Sequence, residues 1–532
     1  MRVLLITGML AENIVRTYAM ESGVEFSVKA LPIPVAALMS PAYIARELEK
    51  EKPLGFDLVL TPGLIEGDVS IVEKAIGIPT FKGPRYAADL PLVLKALDRV
   101  KLSKEVPACK VIETEARSLM LKELKALDLY EKSLKPEEGC LMIGNGEARV
   151  VVGRGLRVKV VAEILNAPVL SNAELKRKAV QYASEGADII DLGMLAENPK
   201  PMEVKRLIST VKHAVKLPVS IDTLNPDEID EALKHGVDMV ISLERSNIQK
   251  LKGLNEEVAF VVIPADNTEG FYPKDVDTRV KMLEDNIALA KRMGITRLLG
   301  DLILDPINSP SLTESLIAYY EFSKRNPQIP LLMGIGNVTE LIDADSIGVN
   351  ALMIGIAQEL GVALVLTTEG SVKTRNAVRE ASIATRMMAL AAKRGSPPKD
   401  LELSLLALKE KRFKEVPYEA SVEVEAKVVK AVKTPKERVK ADAKGYFKIA
   451  IDRVNGEIAV IHYPLGSPKP DLVVKGREAN SLYKTLVKLQ LVSELSHAAY
   501  LGLELAKAEL ALLTGRSYVQ DAPLADVAPA YR

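Results

Sequence analysis

Residues 158–366 repeat one pattern eight times, and that repetition constrains the fold more than any other feature of the chain. Short apolar runs fall at 158–165, 188–192, 218–221, 239–242, 259–263, 298–304, 330–333 and 363–366. Amphipathic stretches at 173–185, 202–215, 227–234, 276–292, 312–325 and 350–360 lie between them, and a long one at 372–394 follows the last. A run that is apolar throughout is a strand buried on both faces, which only a parallel sheet covered by helices provides. Eight such runs with crossovers of roughly thirty residues predict a (β/α)₈ barrel over residues 155–395. An extra segment at 338–348 precedes the seventh helix.

The active face of such a barrel is the carboxyl end of its strands, so the polar residue that ends each apolar run carries the information. Those residues are Asn166, Asp191, Asp222, Ser242, Asp305 and Asn337 for the first, second, third, fourth, sixth and seventh runs. A single strand-end Asp or Asn is often only a helix cap. Three carboxylates and two carboxamides converging on one mouth point instead to recognition of a polar ligand.

Four segments carry a resemblance. Gly-Ala-Asp-Ile-Ile-Asp-Leu-Gly (186–193), Leu-Pro-Val-Ser-Ile-Asp-Thr (217–223) and Gly-Ile-Thr-Arg-Leu-Leu-Gly-Asp-Leu-Ile-Leu-Asp-Pro (294–306) are similar, in this order, to defining segments of the dihydropteroate synthase superfamily. Ala-Glu-Ile-Leu-Asn-Ala-Pro (162–168) is similar to its first-strand segment. The superfamily also contains the pterin-dependent corrinoid methyltransferases. The resemblance implies a pterin ligand held by Asn166, Asp191, Asp222, Ser242, Asp305 and Asn337, with no metal among the protein ligands. It assigns to Asp305 the bidentate, charge-assisted grip on the pterin N3–H and 2-amino donors, and to Asp222 other donors of the ring system. Ser242 stands where relatives carry asparagine.

Departures from the pattern separate the reactions. Dihydropteroate synthases carry Ser-Arg-Lys after strand seven and Arg-x-His after strand eight, where the diphosphate is held. Here strand seven ends Gly-Ile-Gly-Asn (334–337) and strand eight ends Thr-Thr-Glu-Gly (367–370). A glutamate where an anion sits is repulsive. Gly-Ile-Gly-Asn resembles the Gly-x-Ser-Asn of the methyltransferase branch, which implies Asn337 beside pterin N5 and Asp191 as a nearby acid. The expected activity is a transferase moving a methyl group between a tetrahydropterin, of the tetrahydromethanopterin or tetrahydrofolate type, and a corrinoid carried by a partner protein or by the C-terminal domain. Dihydropteroate synthase-like condensation in methanopterin or folate biosynthesis is the second reading, and a non-catalytic pterin carrier or assembly subunit the third. Barrels of this family pair, so a homodimer is expected.

The flanks are separate domains. Residues 1–112 alternate short strands (3–7, 26–31, 57–60, 79–81) with helical stretches (12–21, 41–51, 69–75, 90–100), the rhythm of a Rossmann-like α/β sheet. A charged connector is expected at 113–154 and a Lys/Glu-rich linker at 396–443, with a valine-alternating run at 422–432. Residues 444–532 read as a small α+β domain: a hairpin around Asn455-Gly456, a third strand at 472–475, and helices at 480–494 and 498–514. Its segment 497–512, His-Ala-Ala-Tyr-Leu-Gly-Leu-Glu-Leu-Ala-Lys-Ala-Glu-Leu-Ala-Leu, is similar to the tail of an archaeal group of such proteins.

Composition closes off other classes. Lys+Arg and Asp+Glu both number 71, so no net charge draws the chain to nucleic acid or an anionic membrane. Two cysteines without metal-ligand spacing read as reduced thiols. The amino terminus reaches Gly8 before an apolar core of signal-peptide length accumulates, and no stretch has the apolar length of a membrane helix. A cytoplasmic protein is expected.

Overall fold

The computed structural model describes residues 1–135, 140–253, 255–268, 270–411, 427–431 and 442–524. It divides into two compact units, Met1–Pro136 with Thr385–Ala426, and Glu137–Ala384 with Lys427–Arg532.

In the first unit, strands β1 (Arg2–Gly8), β2 (Glu25–Leu31), β3 (Leu58–Thr61) and β4 (Thr80–Lys82) form a parallel sheet in the order β2-β1-β3-β4. Alternate residues of β1 feed two different cores. Leu4 and Ile6 pack with Ile44, Leu48 and Val72, while Val3 and Leu5 pack with Ala19, Val93 and Leu94. Both faces are therefore covered by helices, the doubly wound arrangement that the strand–helix rhythm predicts. A 26-residue helix, Ala108–Ser133, follows, and its Met120 packs on Leu390, Ala391 and Leu401.

The second unit opens with an unanticipated element. Within the expected connector, β5 (Cys140–Ile143) and β6 (Val150–Gly153) pair as an antiparallel hairpin. Its Ile143 and Val152 join the cluster of Val161, Ile189, Met239, Ala259, Leu299, Leu332 and Leu364. Most of these residues begin their strands, so the hairpin closes the amino-terminal floor of the barrel.

The barrel strands are β7 (Lys159–Ile164), β8 (Ile189–Gly193), β9 (Val219–Asp222), β10 (Met239–Leu243), β11 (Ala259–Val262), β12 (Leu298–Gly300), β13 (Leu332–Gly334) and β14 (Leu364–Thr368). They run in the order β12-β11-β10-β9-β8-β7-β14-β13, and a parallel bridge from Gly300 to Leu331 closes the ring. This is the expected (β/α)₈ barrel. Its helices start where the sequence supplies caps: Ser171 makes a reciprocal capping box with Glu174, and the side chain of Asn225 accepts from the amides of Asp227 and Glu228 ahead of Pro226–Lys234.

Outside the barrel, the helices expected at 90–100 and 480–494 are shorter, ending at Lys95 and Lys488. Within it, three boundaries depart from expectation. β12 stops at Gly300 instead of continuing to Leu304, because the Asp301 carboxylate accepts the Ile303 amide at 2.7 Å and turns the chain, with Ile303 at φ 61°. Leu302 and Leu304 stay buried, which is why the run reads as one long strand. The seventh helix starts earlier, at Ser346, after a short helical turn Gly336–Thr339. The helix after β14 begins at Ala377 and not at 372, leaving residues 369–376 as a loop.

The tail is a three-stranded antiparallel sheet, β15 (Tyr446–Asp452), β16 (Glu457–Tyr463) and β17 (Leu472–Gly476), packed on helices Ala479–Lys488 and Leu495–Thr514. The Arg375 guanidinium donates to the carbonyl of Gly515 and so joins this tail to the loop after β14. The valine-alternating run at 422–432 lies outside the described residues except for 427–431.

Candidate active site

Adjacent strands β7, β8 and β9 each bring a carboxylate to the mouth. Glu163 stands opposite Asp191 in the register of β7 and β8, so both side chains leave the same face of the sheet. One oxygen each from Glu163, Asp191 and Asp222 lies within 4.8 Å of the others. Asp191 is wholly buried; its Oδ1 accepts from Ser220 Oγ at 2.6 Å, while Oδ2 is sealed from solvent without a donor. Glu163 reaches its place across Gly193, where a Cβ would stand 2.3 Å from Oε1. Ser242 donates to Asp222 Oδ1. It does so from a left-handed backbone, φ 69°, at the point where β10 slips register against β11.

Burial dominates the electrostatics of this trio. It raises Glu163 to about 7, with the charge of Asp222 adding to the effect. It also raises Asp191 well above the carboxylate range, reinforced by Asp222 and then Glu163, and raises Asp222 against the pull of the Ser242 hydroxyl. The nearest charges to Glu163 and Asp191 are thus other carboxylates. Such a set holds protons, accepts hydrogen bonds from a cationic or donor-rich ring, or supplies the oxygen ligands of a hard divalent ion.

Beyond β12 stand two aspartates with different roles. Asp301 directly follows the strand. Its Oδ1 accepts from the Tyr319 hydroxyl and from the Ile303 amide, which leaves Oδ2 for a ligand. Burial raises it to about 6. Asp305, four residues on, is committed internally: Arg279 Nη2 donates to Oδ2 at 2.7 Å and the Tyr272 hydroxyl to Oδ1 at 3.1 Å. Arg279 is completely buried and also donates to the carbonyls of Ile303 and Pro273.

Both asparagines lie on the exposed rim. Asn166 has a left-handed backbone (φ 52°) at the end of β7, and its side chain caps no helix. Asn337 is not a cap either, because Ile335 occupies the cap position of its short helix; its Nδ2 donates to the Leu304 carbonyl at 2.9 Å.

After β14, Glu369 Oε1 is buried without a hydrogen-bond partner; burial raises the carboxyl to about 8, while the amides of Val378 and Asn376 at the start of the next helix act the other way. That is where a strand-eight anion would be received, and a carboxyl side chain stands there. Of the cations near it, Lys373 is engaged with Asp343 at 3.1 Å and Arg375 with the Gly515 carbonyl, while the charge of Lys178 acts on Glu369.

Comparison with known proteins places this arrangement. A family described as pterin binding enzyme matches residues 167–366. An uncharacterized protein of Methanocaldococcus jannaschii is 38% identical over 533 residues, spanning 98% of this chain and 98% of the relative. The chain belongs to one family with this relative, and its barrel to the pterin binding enzyme family. Residues 441–521 match a family described as PterinBD-DUF4346, and residues 1–85 a family of unknown function. Among solved structures, dihydropteroate synthase from Xanthomonas albilineans is 18% identical, covering 48% of this chain and 99% of that chain at a TM-score of 0.38. Dihydropteroate synthase from Thermus thermophilus is 22% identical, covering 46% and 97% at 0.36. At this level the chain is a pterin-binding enzyme and a pterin its small-molecule ligand. Among the described residues no helix is long and apolar enough to cross a membrane.

In this pterin-binding barrel, two hydrogen-bonded pairs, Ser220–Asp191 and Ser242–Asp222, bring their carboxylates within 4.8 Å of each other. Asn166 and Asn337 border the same mouth, whereas Asp305 is turned into its Arg279 pair. Glu163 and Asp301 are the participants that strand-end reasoning passes over. Each left a signal: Glu163 is a carboxylate inside the otherwise apolar Val160–Ile164 stretch, and Gly300-Asp301 interrupts the run at 298–304.

Proposed function

We propose that the barrel binds a reduced pterin and transfers a methyl group from its N5, or the reverse, rather than condensing a pterin diphosphate with an arylamine. The observation that carries this reading is the residue that follows β14: Glu369, whose Oε1 is buried without a hydrogen-bond partner, stands as a carboxyl group near the amides that open the next helix, where a diphosphate would need a cation. Lys373 and Arg375 are engaged with Asp343 and the Gly515 carbonyl.

In this reading Asp222 and the free oxygen of Asp301 accept the pterin's N–H donors, and Asn166 and Asn337 border the ring. Burial holds the proton of Glu163 up to about pH 7 and raises Asp191 as well, and these two are the acids of the site. When the methyl–N5 bond breaks, its electron pair stays on nitrogen and a carboxyl proton moves to it, while the methyl carbon bonds to the electron pair of the acceptor. The acceptor proposed is a corrinoid. Were it carried by the C-terminal domain, His497 is the residue to ligate it: Asp442 holds His497 Nδ1 at 3.1 Å, whereas His462 spends both ring nitrogens on Asp471 and the Lys444 carbonyl.

Product analysis tests the proposal. Incubation with a hydroxymethyl-dihydropterin diphosphate, Mg²⁺ and an arylamine should release no pyrophosphate. An N5-methyl tetrahydropterin with a reduced corrinoid should lose its methyl group. Steady pyrophosphate release would overturn the assignment in favour of condensation. Tight pterin binding with neither turnover would favour a carrier.

A further inference from the structure

The turn that ends β12 is held by bonds along its whole length. The Asp301 amide donates to the Val262 carbonyl at 2.9 Å. Asp301 Oδ1 accepts the Ile303 amide at 2.7 Å and the Tyr319 hydroxyl. Arg279 Nη1 donates to the Ile303 carbonyl at 3.1 Å, and the Tyr272 hydroxyl stands 3.5 Å from the same oxygen. Asn337 Nδ2 donates to the Leu304 carbonyl at 2.9 Å, and the Asp305 amide to Ser315 Oγ at 3.2 Å. Arg279 is itself anchored, by Asp305 Oδ2 at 2.7 Å and by the Pro273 carbonyl.

Ile303 opposes this arrangement. At φ 61° its backbone is left-handed, which brings Cβ against the following carbonyl oxygen, and branching at Cβ adds to the crowding. Among the described residues Ile303 is the one β-branched residue at positive φ; the others there are glycine or polar. A residue in such a region persists only where its surroundings over-determine it, and such residues gather at ligand sites. Here the over-determining bonds reach the Ile303 carbonyl from Arg279 and Tyr272, both outside the turn. Relaxation to negative φ would carry the Ile303 amide away from Asp301 Oδ1 and free the carboxylate to rotate.

On the pterin reading, in which the free oxygen of Asp301 accepts a ring donor, we propose that Ile303 is a positioning residue. Arg279, anchored by Asp305, braces it in a strained left-handed turn, and that turn aims Asp301 at the pterin. The buried ion pair then serves the ligand without touching it.

Two measurements on the full chain test this. Melting compares Ile303→Gly with Ile303→Ala. At negative φ Ile303→Ala would be the more stable; at positive φ only glycine escapes the Cβ clash, so Ile303→Gly should melt higher. Calorimetric titration with a tetrahydropterin then reads the brace. Tyr272→Phe, Arg279→Met and Asp305→Leu made together exchange it for apolar groups, a replacement that buried ion pairs commonly tolerate. Affinity should fall roughly tenfold or more. Adding Ile303→Gly to this folded triple variant should recover most of the loss, because the turn then needs no brace, whereas adding Ile303→Ala should not. Three results overturn the proposal: Ile303→Gly melting below Ile303→Ala, a triple variant that binds as tightly as the wild type, or equal affinities after adding glycine and alanine. Any of them beside normal wild-type binding removes the brace alone. A wild-type chain that binds no tetrahydropterin removes the pterin reading and the brace together.

Discussion

The carboxylate of Asp305 lies 2.7 Å from the guanidinium of Arg279, and both side chains are almost wholly buried. Removing one partner strands a buried charge, which costs far more than the pair contributes. Asp305→Asn should therefore lower stability by about 3–5 kcal/mol, read as a fall in Tm. Asp301→Asn should instead leave Tm nearly intact and weaken tetrahydropterin binding by about 1.5–3 kcal/mol, roughly 10- to 150-fold. Calorimetric titration of both variants separates the roles. The opposite pattern would return the ring contact to Asp305.

Gly193 gives Glu163 its path into the mouth. Gly193→Ala should push the Glu163 carboxyl aside at an overpacking cost of about 1–3 kcal/mol. Methyl transfer should fall roughly 100-fold or more, since a positioned acid contributes that much. Single-turnover rates on the folded variant check this; an unimpaired rate removes Glu163 from the chemistry.

Glu163 also sets a pH expectation. Held near 7 by burial against an ordinary 4.5, it stays protonated in the folded protein while the unfolded chain ionises. Its contribution to stability is full below about 4.5 and is lost as pH rises through 7. If it is the proton donor of the proposed transfer, the rate should fall above about pH 7. Glu163→Gln should flatten the stability profile over this window and slow the reaction. A rate–pH curve unchanged in the variant would assign the proton to Asp191.

Asn337 donates to the Leu304 carbonyl and caps nothing. If its remaining oxygen orders hydrogen bonds at pterin N5, Asn337→Ala should slow methyl transfer by about 10²–10³, with a smaller loss of pterin affinity, because that contact strengthens as the C–N bond breaks. Equal losses in rate and affinity would identify it as a binding residue only.

The barrel was legible because parallel strands must be apolar on both faces, and the chain repeats that demand eight times. Asp191 and Asp222 were legible because each ends such a run. The same reasoning misassigned the end of β12. Leu302 and Leu304 are buried although Ile303 has left the strand, so hydrophobicity continued where pairing had stopped. Partnership was hidden as well. Nothing local to 301–306 announces that Arg279, on another helix, claims Asp305 and leaves Asp301 available. The floor hairpin escaped notice because its four-residue strands fall within the expected connector.

That hairpin has a kinetic corollary. Ile143 and Val152 pack into one core cluster with residues that begin the barrel strands, so a ligand held at the strand ends is reached from the mouth alone, and whatever enters must leave past whatever waits outside. In the proposed transfer, pterin and acceptor would share that face. An acceptor pressed against the mouth traps the pterin beneath it, which imposes an order of arrival and departure. The spent pterin should then compete with its methylated form for the empty enzyme, and a tightly docked acceptor should retard its escape.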